Sequence, residues 1–304
     1  MKKFLEQYFP VMRSHQERLF RWQRGKYLTS SQLSTSFLKV RKCVLRAPVR
    51  EAAGSKVLFI SDWHWFGSER NRMLLERVKY IVRHSEPSVI VLGGDMCEDA
   101  DTLDKLPALL KELSLLAPDC IAVPGNWETG KRWLGTDFWK DLYASCNIKL
   151  LRNECYTAGA LRFHGIDDIT SGFCALPEKL DPEIPPAGTL PVAEILVAHS
   201  PDTIIALDES RNLYGFDTAL CGHCHGGQLR LPLFGAMFCP SRYGTRFARG
   251  SFIRINTHLK MLVSSGIGER NGSFRFNCPP EVILLHFRTA HHYRARSCDM
   301  ERAK

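Results

Sequence analysis

At 304 residues, 44% hydrophobic and 24% charged, the chain can bury a sizeable core and lacks the composition of a disordered protein. No apolar run approaches the roughly 18 residues of a membrane-spanning helix, and the run from Phe4 is broken by Glu6, Gln7, Pro10 and Arg13, unlike a signal peptide. The net charge of +9 is concentrated at one end: residues 1–50 hold twelve lysines and arginines against Glu6 and Glu17, which leaves the rest of the chain at −1.

Residues 1–54 read as a basic, aromatic arm. Phe4, Tyr8, Phe9, Phe20 and Trp22 are interspersed with the cations, and Pro10 interrupts any single helix. This pattern suits association with an anionic membrane surface. It also suits an arm packed on the body or one that binds nucleic acid. From Val57 the pattern becomes α/β, in a body spanning 55–290 before a polar tail at 291–304. Val57–Ile60 is a strand. Met73–His84 carries a helical stripe at Leu74, Val78, Ile81 and Val82. Val89–Leu92 is the next strand, Leu103, Leu106, Leu110 and Leu113 mark a second helix, and Ile121–Val123 is a third strand. Gly165–Pro191, with five prolines, reads as a long irregular loop. Ile195–Ala198, Ala219–Cys221, Met261–Ser264 and Val282–His286 complete the strands of a β-richer second half. The eleven cysteines are odd in number and sit largely in apolar runs, for example Cys97, Cys120 and Cys221. That is the usage of reduced thiols in a cytoplasmic protein, not of a secreted disulfide framework.

Five short motifs follow strands: Asp62-Trp63-His64, Gly94-Asp95, Gly125-Asn126-Trp127-Glu128, Ala198-His199-Ser200-Pro201 and Gly222-His223-Cys224-His225. Ligands of α/β proteins gather at the carboxyl ends of strands. Each motif alone is commonly structural, and Gly-Asp is commonly a turn. Together, in this order, they supply the carboxylates and imidazoles that suit Mn²⁺, Fe or Zn²⁺. Two cations bridged by one carboxylate form a clamp for in-line displacement at phosphorus. The string Cys221-Gly222-His223-Cys224-His225 also matches a c-type haem attachment sequence. That chemistry needs an exported chain, and it would compete for both histidines.

The ordered set resembles the calcineurin-like metallophosphoesterase superfamily from about Val57 to Phe287. The resemblance sharpens at Gly165-Ile166-Asp167-Asp168, Ala198–Asp202, Gly222–Gln228, Ser264-Ser265-Gly266-Ile267-Gly268 and Arg275–Glu281. These segments are most similar to the chlamydial-type UDP-2,3-diacylglucosamine pyrophosphatases of lipid A synthesis. The resemblance implies two facing mixed β-sheets flanked by helices, a four-layer sandwich. It implies one divalent metal on Asp62, His64, Asp95 and His225, and a second on Asp95, Asn126, His199 and His223. Asp95 would bridge, and Asp95, Asn126 and His199 would act in catalysis. Mn²⁺ is the ion expected, with Fe, Zn²⁺ and Mg²⁺ as alternatives. The implied reaction yields UMP and 2,3-diacylglucosamine 1-phosphate on the cytoplasmic face of the inner membrane, where the arm would hold the enzyme beside its acylated UDP-sugar.

The sequence departs from the family at Trp127, where a histidine usually follows Gly-Asn and is thought to protonate the leaving oxygen. Tryptophan is no acid in water. A general acid is worth 10²–10⁴-fold when the leaving group needs a proton, and a departing phosphate monoester, with a second pKa of about 6, does not. Trp127 therefore favours a P–O–P substrate, unless it merely packs and another group donates. Lys131, Arg132, Arg242, Arg246, Arg249 and Arg254 are candidate diphosphate contacts, or surface charges. Phe234, Met237, Phe238 and Phe247 suit either an acyl-chain cleft or the core. The competing functions are another phosphodiesterase or phosphatase of the superfamily, a metal-bound scaffold without turnover, and a nucleic-acid binder.

Overall fold

The computed structural model describes residues 38–98, 103–130, 135–169, 174–175, 192–210, 213, 215–253, 259–270 and 275–289. The first 37 residues and the tail from residue 290 lie outside the described residues, as does most of the Gly165–Pro191 loop.

In chain order the elements are β1 (Lys39–Arg46), β2 (Lys56–Ile60), α1 (Glu69–Ser85), β3 (Val89–Leu92), α2 (Leu106–Ser114), β4 (Asp119–Ala122), α3 (Asn126–Gly130), α4 (Gly135–Ser145), β5 (Lys149–Leu150), β6 (Glu154–Ala158), β7 (Leu161–Ile166), β8 (Ala193–Ala198), α5 (Pro201–Glu209), β9 (Thr218–Cys221), β10 (Arg230–Leu231), β11 (Gly235–Ala236), β12 (Gly250–Ile253), β13 (Lys260–Val263) and β14 (Glu281–Arg288). They form two six-stranded mixed sheets, ordered β1-β14-β2-β3-β4-β5 and β12-β13-β9-β8-β7-β6, with β10 and β11 as a separate hairpin.

Strand alternation builds the layers, because successive side chains point to opposite faces. Leu58 and Ile60 pack outward under α1, α2 and α4, with Val78, Leu110 and Tyr143. Val57, Phe59, Val89 and Val91 point inward and meet Phe163, Ile195, Val197 and Leu220 of the second sheet. Leu196 and Ala198 face outward again, onto Ile204 and Ile205 of α5. Three apolar layers between helices, sheet, sheet and helix make the four-layer sandwich that the family resemblance implied.

The arm is shorter than its basic residues suggested. Residues 39–46, within the expected arm, form β1, an edge strand paired in parallel with all of β14. Cys43 and Leu45 point into the core, and Arg41 reaches Glu281 at 3.1 Å. Lysines and arginines on this strand are the charges by which an exposed sheet edge resists pairing with another chain.

Candidate metal centre

The five motifs occupy the turns that leave β2, β3, β4, β8 and β9. β2, β3 and β4 are parallel neighbours in one sheet, and β8 and β9 in the other, and side chains from the ends of both sets of strands meet in common groups. Asp62, His64, Asp95, His223 and His225 all take left-handed backbone, with φ of 53°, 45°, 55°, 68° and 49°. A non-glycine residue there costs on the order of 1–3 kcal/mol, and such residues cluster at functional sites.

Hydrogen bonds from neighbouring turns hold this strain. Asp62 and His64 donate their N–H groups to the carbonyls of Gly94 and Asp95, each at 3.0 Å, and Gly268 N–H donates to Asp62 C=O at 2.8 Å. The Glu128 carboxylate, nearly fully buried, accepts from the backbone N–H of Asp95 at 2.9 Å, Met96 at 2.8 Å and Gly125 at 2.9 Å. It thereby clamps the turn after β3 to the turn after β4. Two glycines are required by contact: a Cβ on Gly125 would overlap the Asp95 carboxylate, and one on Gly222 would overlap that of Asp62.

The donor atoms converge in two adjoining groups, Asp62–His64–His225 and Asp95–His199–His223. In the first, His64 Nε2 lies 3.0 Å from His225 Nε2, which is 3.6 Å from Asp62 Oδ1. In the second, His199 Nε2 is 3.2 Å from Asp95 Oδ2 and 3.2 Å from His223 Nδ1. Asn126 Oδ1 adds a donor 2.8 Å from His223 Nδ1 and 3.2 Å from His199 Nε2. Asp95 Oδ2 also lies 3.6 Å from His64 Nε2, so it stands between the groups. Two atoms bound to one ion at about 2.1 Å and at right angles are about 3.0 Å apart. The spacings found here are therefore those of ligand atoms sharing an ion.

The tautomers fit as well. Gly93 C=O lies 2.7 Å from His199 Nδ1 and Pro240 C=O lies 2.9 Å from His223 Nε2. A proton donated at those nitrogens leaves His199 Nε2 and His223 Nδ1 with lone pairs toward the centre, the outer-shell arrangement of metal histidines. Burial lowers His64 to a pKa of about 4. Burial, then the neighbouring His64 and the Arg275 cation, hold His225 well below its ordinary value. Burial and His199 lower His223. These three are kept neutral, the form that binds metal. Burial raises Asp62 to about 6. Burial also opposes the charge on His199, but Asp95 and then Asp62 outweigh it and raise His199 well above the usual range. In the metal-free chain one proton on His199 thus offsets part of the charge of two buried carboxylates.

The sequence-predicted contacts divide. Trp127 is half-buried and meets the His64 ring edge-on with centroids 5.7 Å apart, and its backbone N–H donates to Asp95 Oδ1 at 2.8 Å. Lys131, Arg132 and Arg254 lie outside the described residues. Arg242 and Arg246 are exposed on the segment after Pro240, and Arg249 is half-buried. The Arg246 guanidinium sits 5.3 Å from the centroid of the Phe247 ring. Phe247 is core, whereas Phe234, Met237 and Phe238 are at the surface. Cys221 and Cys224 are buried in the outer core of the second sheet, where haem attachment would have no access.

Two motif residues have roles that their spacing does not reveal. Glu128 is one, and three backbone donors on one carboxylate cannot be read from spacing. Arg275 is the other. It is fully buried and donates to the carbonyls of Ser265 at 2.8 Å and Gly268 at 3.0 Å, behind His225 at 3.5 Å from Nδ1. An arginine inside the otherwise apolar and small-residue stretch 275–280 was the available signal.

Carboxylates and imidazoles gathered in two adjoining groups at the strand ends of a two-sheet sandwich define a metal-dependent phosphoester hydrolase. The chain belongs to the calcineurin-like phosphoesterase family, whose model matches residues 55–227, more than half its length. It is 28% identical over 243 residues to phosphodiesterase YaeI of Escherichia coli, covering 77% of this chain and 82% of that one. It is also 28% identical over 247 residues to the uncharacterized metallophosphoesterase YkuE of Bacillus subtilis, covering 76% and 78%. A solved dimetal phosphatase from Danio rerio superposes with a TM-score of 0.43 at 11% identity, covering 71% of this chain and 88% of that one.

Proposed function

We propose that this metallophosphoesterase hydrolyses the pyrophosphate bond of UDP-2,3-diacylglucosamine, releasing UMP and 2,3-diacylglucosamine 1-phosphate. The observation that carries the reading is Trp127. It stands beside His64 and Asp95, where the family resemblance would place a proton-donating histidine. A centre without that acid is suited to a leaving group that departs as a phosphate. The branch-specific motifs support the same substrate.

Two divalent ions, Mn²⁺ being the ion proposed, would supply Lewis acidity and an activated water when bound. Asp62, His64 and His225 would hold one and Asn126, His199 and His223 the other, with Asp95 shared. Asp95 is fixed by Trp127 N–H and by the Glu128 clamp, so its carboxylate need not reorganise during the reaction. Asn126 and His223 form the partly exposed side of the centre and would meet the phosphoryl oxygens. We place the enzyme on the cytoplasmic face of a membrane, with the basic segment before residue 38 as one attachment.

A second reading, cleavage of a simpler phosphodiester, is favoured by the name of the E. coli relative. The test is turnover with Mn²⁺ on UDP-2,3-diacylglucosamine, an alkyl phosphodiester and an alkyl phosphate monoester, with products identified. UMP from the first substrate at a rate well above the others is expected. Faster cleavage of the alkyl diester would overturn the proposal in favour of the second reading.

A further inference from the structure

Directly after the centre, residues 230–238 turn back as the β10–β11 hairpin. Its exposed side chains are more apolar than those of an ordinary loop in water. Leu233 at the tip is fully exposed, Phe234 is 82% exposed and Met237 59%, with Leu231 and Phe238 also exposed. Leu233 has φ 69°, a left-handed conformation that favours glycine or asparagine over leucine. An apolar residue kept in a strained conformation on the surface calls for a functional explanation.

The base of the hairpin is locked to the centre at both ends. On the entering side Gly227 closes against Ala236, so that a Cβ there would meet the Ala236 Cβ at 2.5 Å, and Arg230 N–H donates to Phe276 C=O at 3.0 Å. On the returning side Pro240 C=O lies 2.9 Å from His223 Nε2, and Asp202 accepts from Ser241 Oγ at 2.6 Å and Arg242 N–H at 2.7 Å. The tip therefore has a fixed position relative to the metal ligands. The chain segment that carries it has charge of one sign. From Thr218 to Gly268 the sequence contains no aspartate or glutamate, while Arg230, Arg242, Arg246, Arg249, Arg254 and Lys260 fall within it. The acidic groups that approach from a neighbouring helix are Asp202, held by Ser241 and Arg242, and Glu209, which accepts from Tyr243 Oη at 2.9 Å.

We propose that the β10–β11 hairpin is a wedge that inserts Leu233 and Phe234 into the interface of an anionic phospholipid bilayer. The arginines that follow it would meet the lipid phosphates. A protruding tip suits a fluid surface, which needs no complementary shape. Aromatic and aliphatic side chains backed by cations are the composition of an interfacial anchor. Pro232 beside the tip has no N–H to desolvate. The wedge would set the catalytic centre at headgroup level. It deepens the proposed function by explaining how an acylated substrate is met, but it does not need that substrate.

The test is flotation of the full chain with vesicles of phosphatidylcholine containing phosphatidylglycerol, and with phosphatidylcholine alone, without substrate. Leu233→Ser/Phe234→Ser is expected to partition into the anionic vesicles at least about tenfold less than wild type, since burying each side chain drives insertion. That deficit should persist in high salt, where attraction through the arginines is screened. Leu233→Gly separates insertion from folding: relief of the positive φ should raise Tm while vesicle binding falls. Unchanged vesicle binding by the double variant would overturn the proposal. So would a wild type that is dimeric in solution and a double variant that is monomeric, because the patch would then be covered by a second copy. Failure of turnover on UDP-2,3-diacylglucosamine would leave this result untouched, which keeps the two proposals distinguishable.

Discussion

The two groups of candidate ligands adjoin at Asp95 but differ in their surroundings. Asp62 and His64 are fully buried and His225 nearly so, behind Arg275 and the Ser264–Gly268 turn. In the second group only Asp95 and His199 are sealed, and Asn126 and His223 are partly exposed. Burial keeps the imidazoles of the first group neutral, whereas His199 of the second holds a proton between carboxylates. The first group is closed to solvent, and the second opens to it through Asn126 and His223.

The shared residue should break the comparison most severely. Asp95→Ala removes a donor from both groups, and turnover is expected to fall on the order of 10³-fold or more. Metal content should fall in parallel. Full metal occupancy with near-normal activity would show that the groups do not share it. Gly222→Ala should act on one side only, since its Cβ would displace Asp62. It is expected to cost the first group its ion while Asp95, His199 and His223 still take up Mn²⁺. Two ions per chain in that variant would contradict the packing argument.

Glu128→Gln tests the clamp that joins the two turns. One carboxamide oxygen cannot accept from all three N–H groups, and leaving a buried donor unpaired costs about 1–3 kcal/mol. Burial, and next the charge of Asp95, raise Glu128 to about 7. A raised carboxylate pKa means that the unfolded chain binds fewer protons between the two values. Stability of the metal-free protein should therefore fall as pH rises from about 4.5 to about 7, and less steeply in Glu128→Gln. Chemical denaturation with a chelator across that range measures both.

Metal uptake sharpens the comparison further. Affinity is expected to weaken as pH falls through about 6, where Asp62 takes up its proton. Binding near pH 7 should release the His199 proton. Calorimetry with Mn²⁺ in two buffers of different ionisation enthalpy counts that proton, and an affinity flat across this range would contradict the assignment. The smallest effect belongs to Trp127→His: little or no gain on a pyrophosphate, and a shallower dependence on leaving-group pKa across a series of phosphodiesters. A wild type that cleaves alkyl esters as readily as pyrophosphate has its proton donor elsewhere.

The centre was legible because its ligands sit in short motifs after strands whose alternation is plain, as at Val57–Ile60 and Val89–Leu92. All seven ligand candidates converge where the strand ends meet. Elements whose charge or shortness hid their role were not legible. β1 carries its cations on an exposed edge, so Lys39–Arg46 reads as arm until its pairing with β14 is seen. In β6, Glu154–Ala158 leans on β7 for its register, and no apolar run marks it. Phe234 and Phe247 look alike in sequence, yet one is exposed and the other buried. Glu128 and Arg275 work through backbone groups, which leave no trace in residue spacing.

Electron paramagnetic resonance of the Mn²⁺-loaded protein, with metal counted per chain, tests the central claim most directly. If two ions share Asp95 they would lie close enough to couple, and the expected result is two ions per chain and the spectrum of a spin-coupled pair. One ion per chain, or two ions with the six-line spectrum of isolated Mn²⁺, would contradict a shared centre.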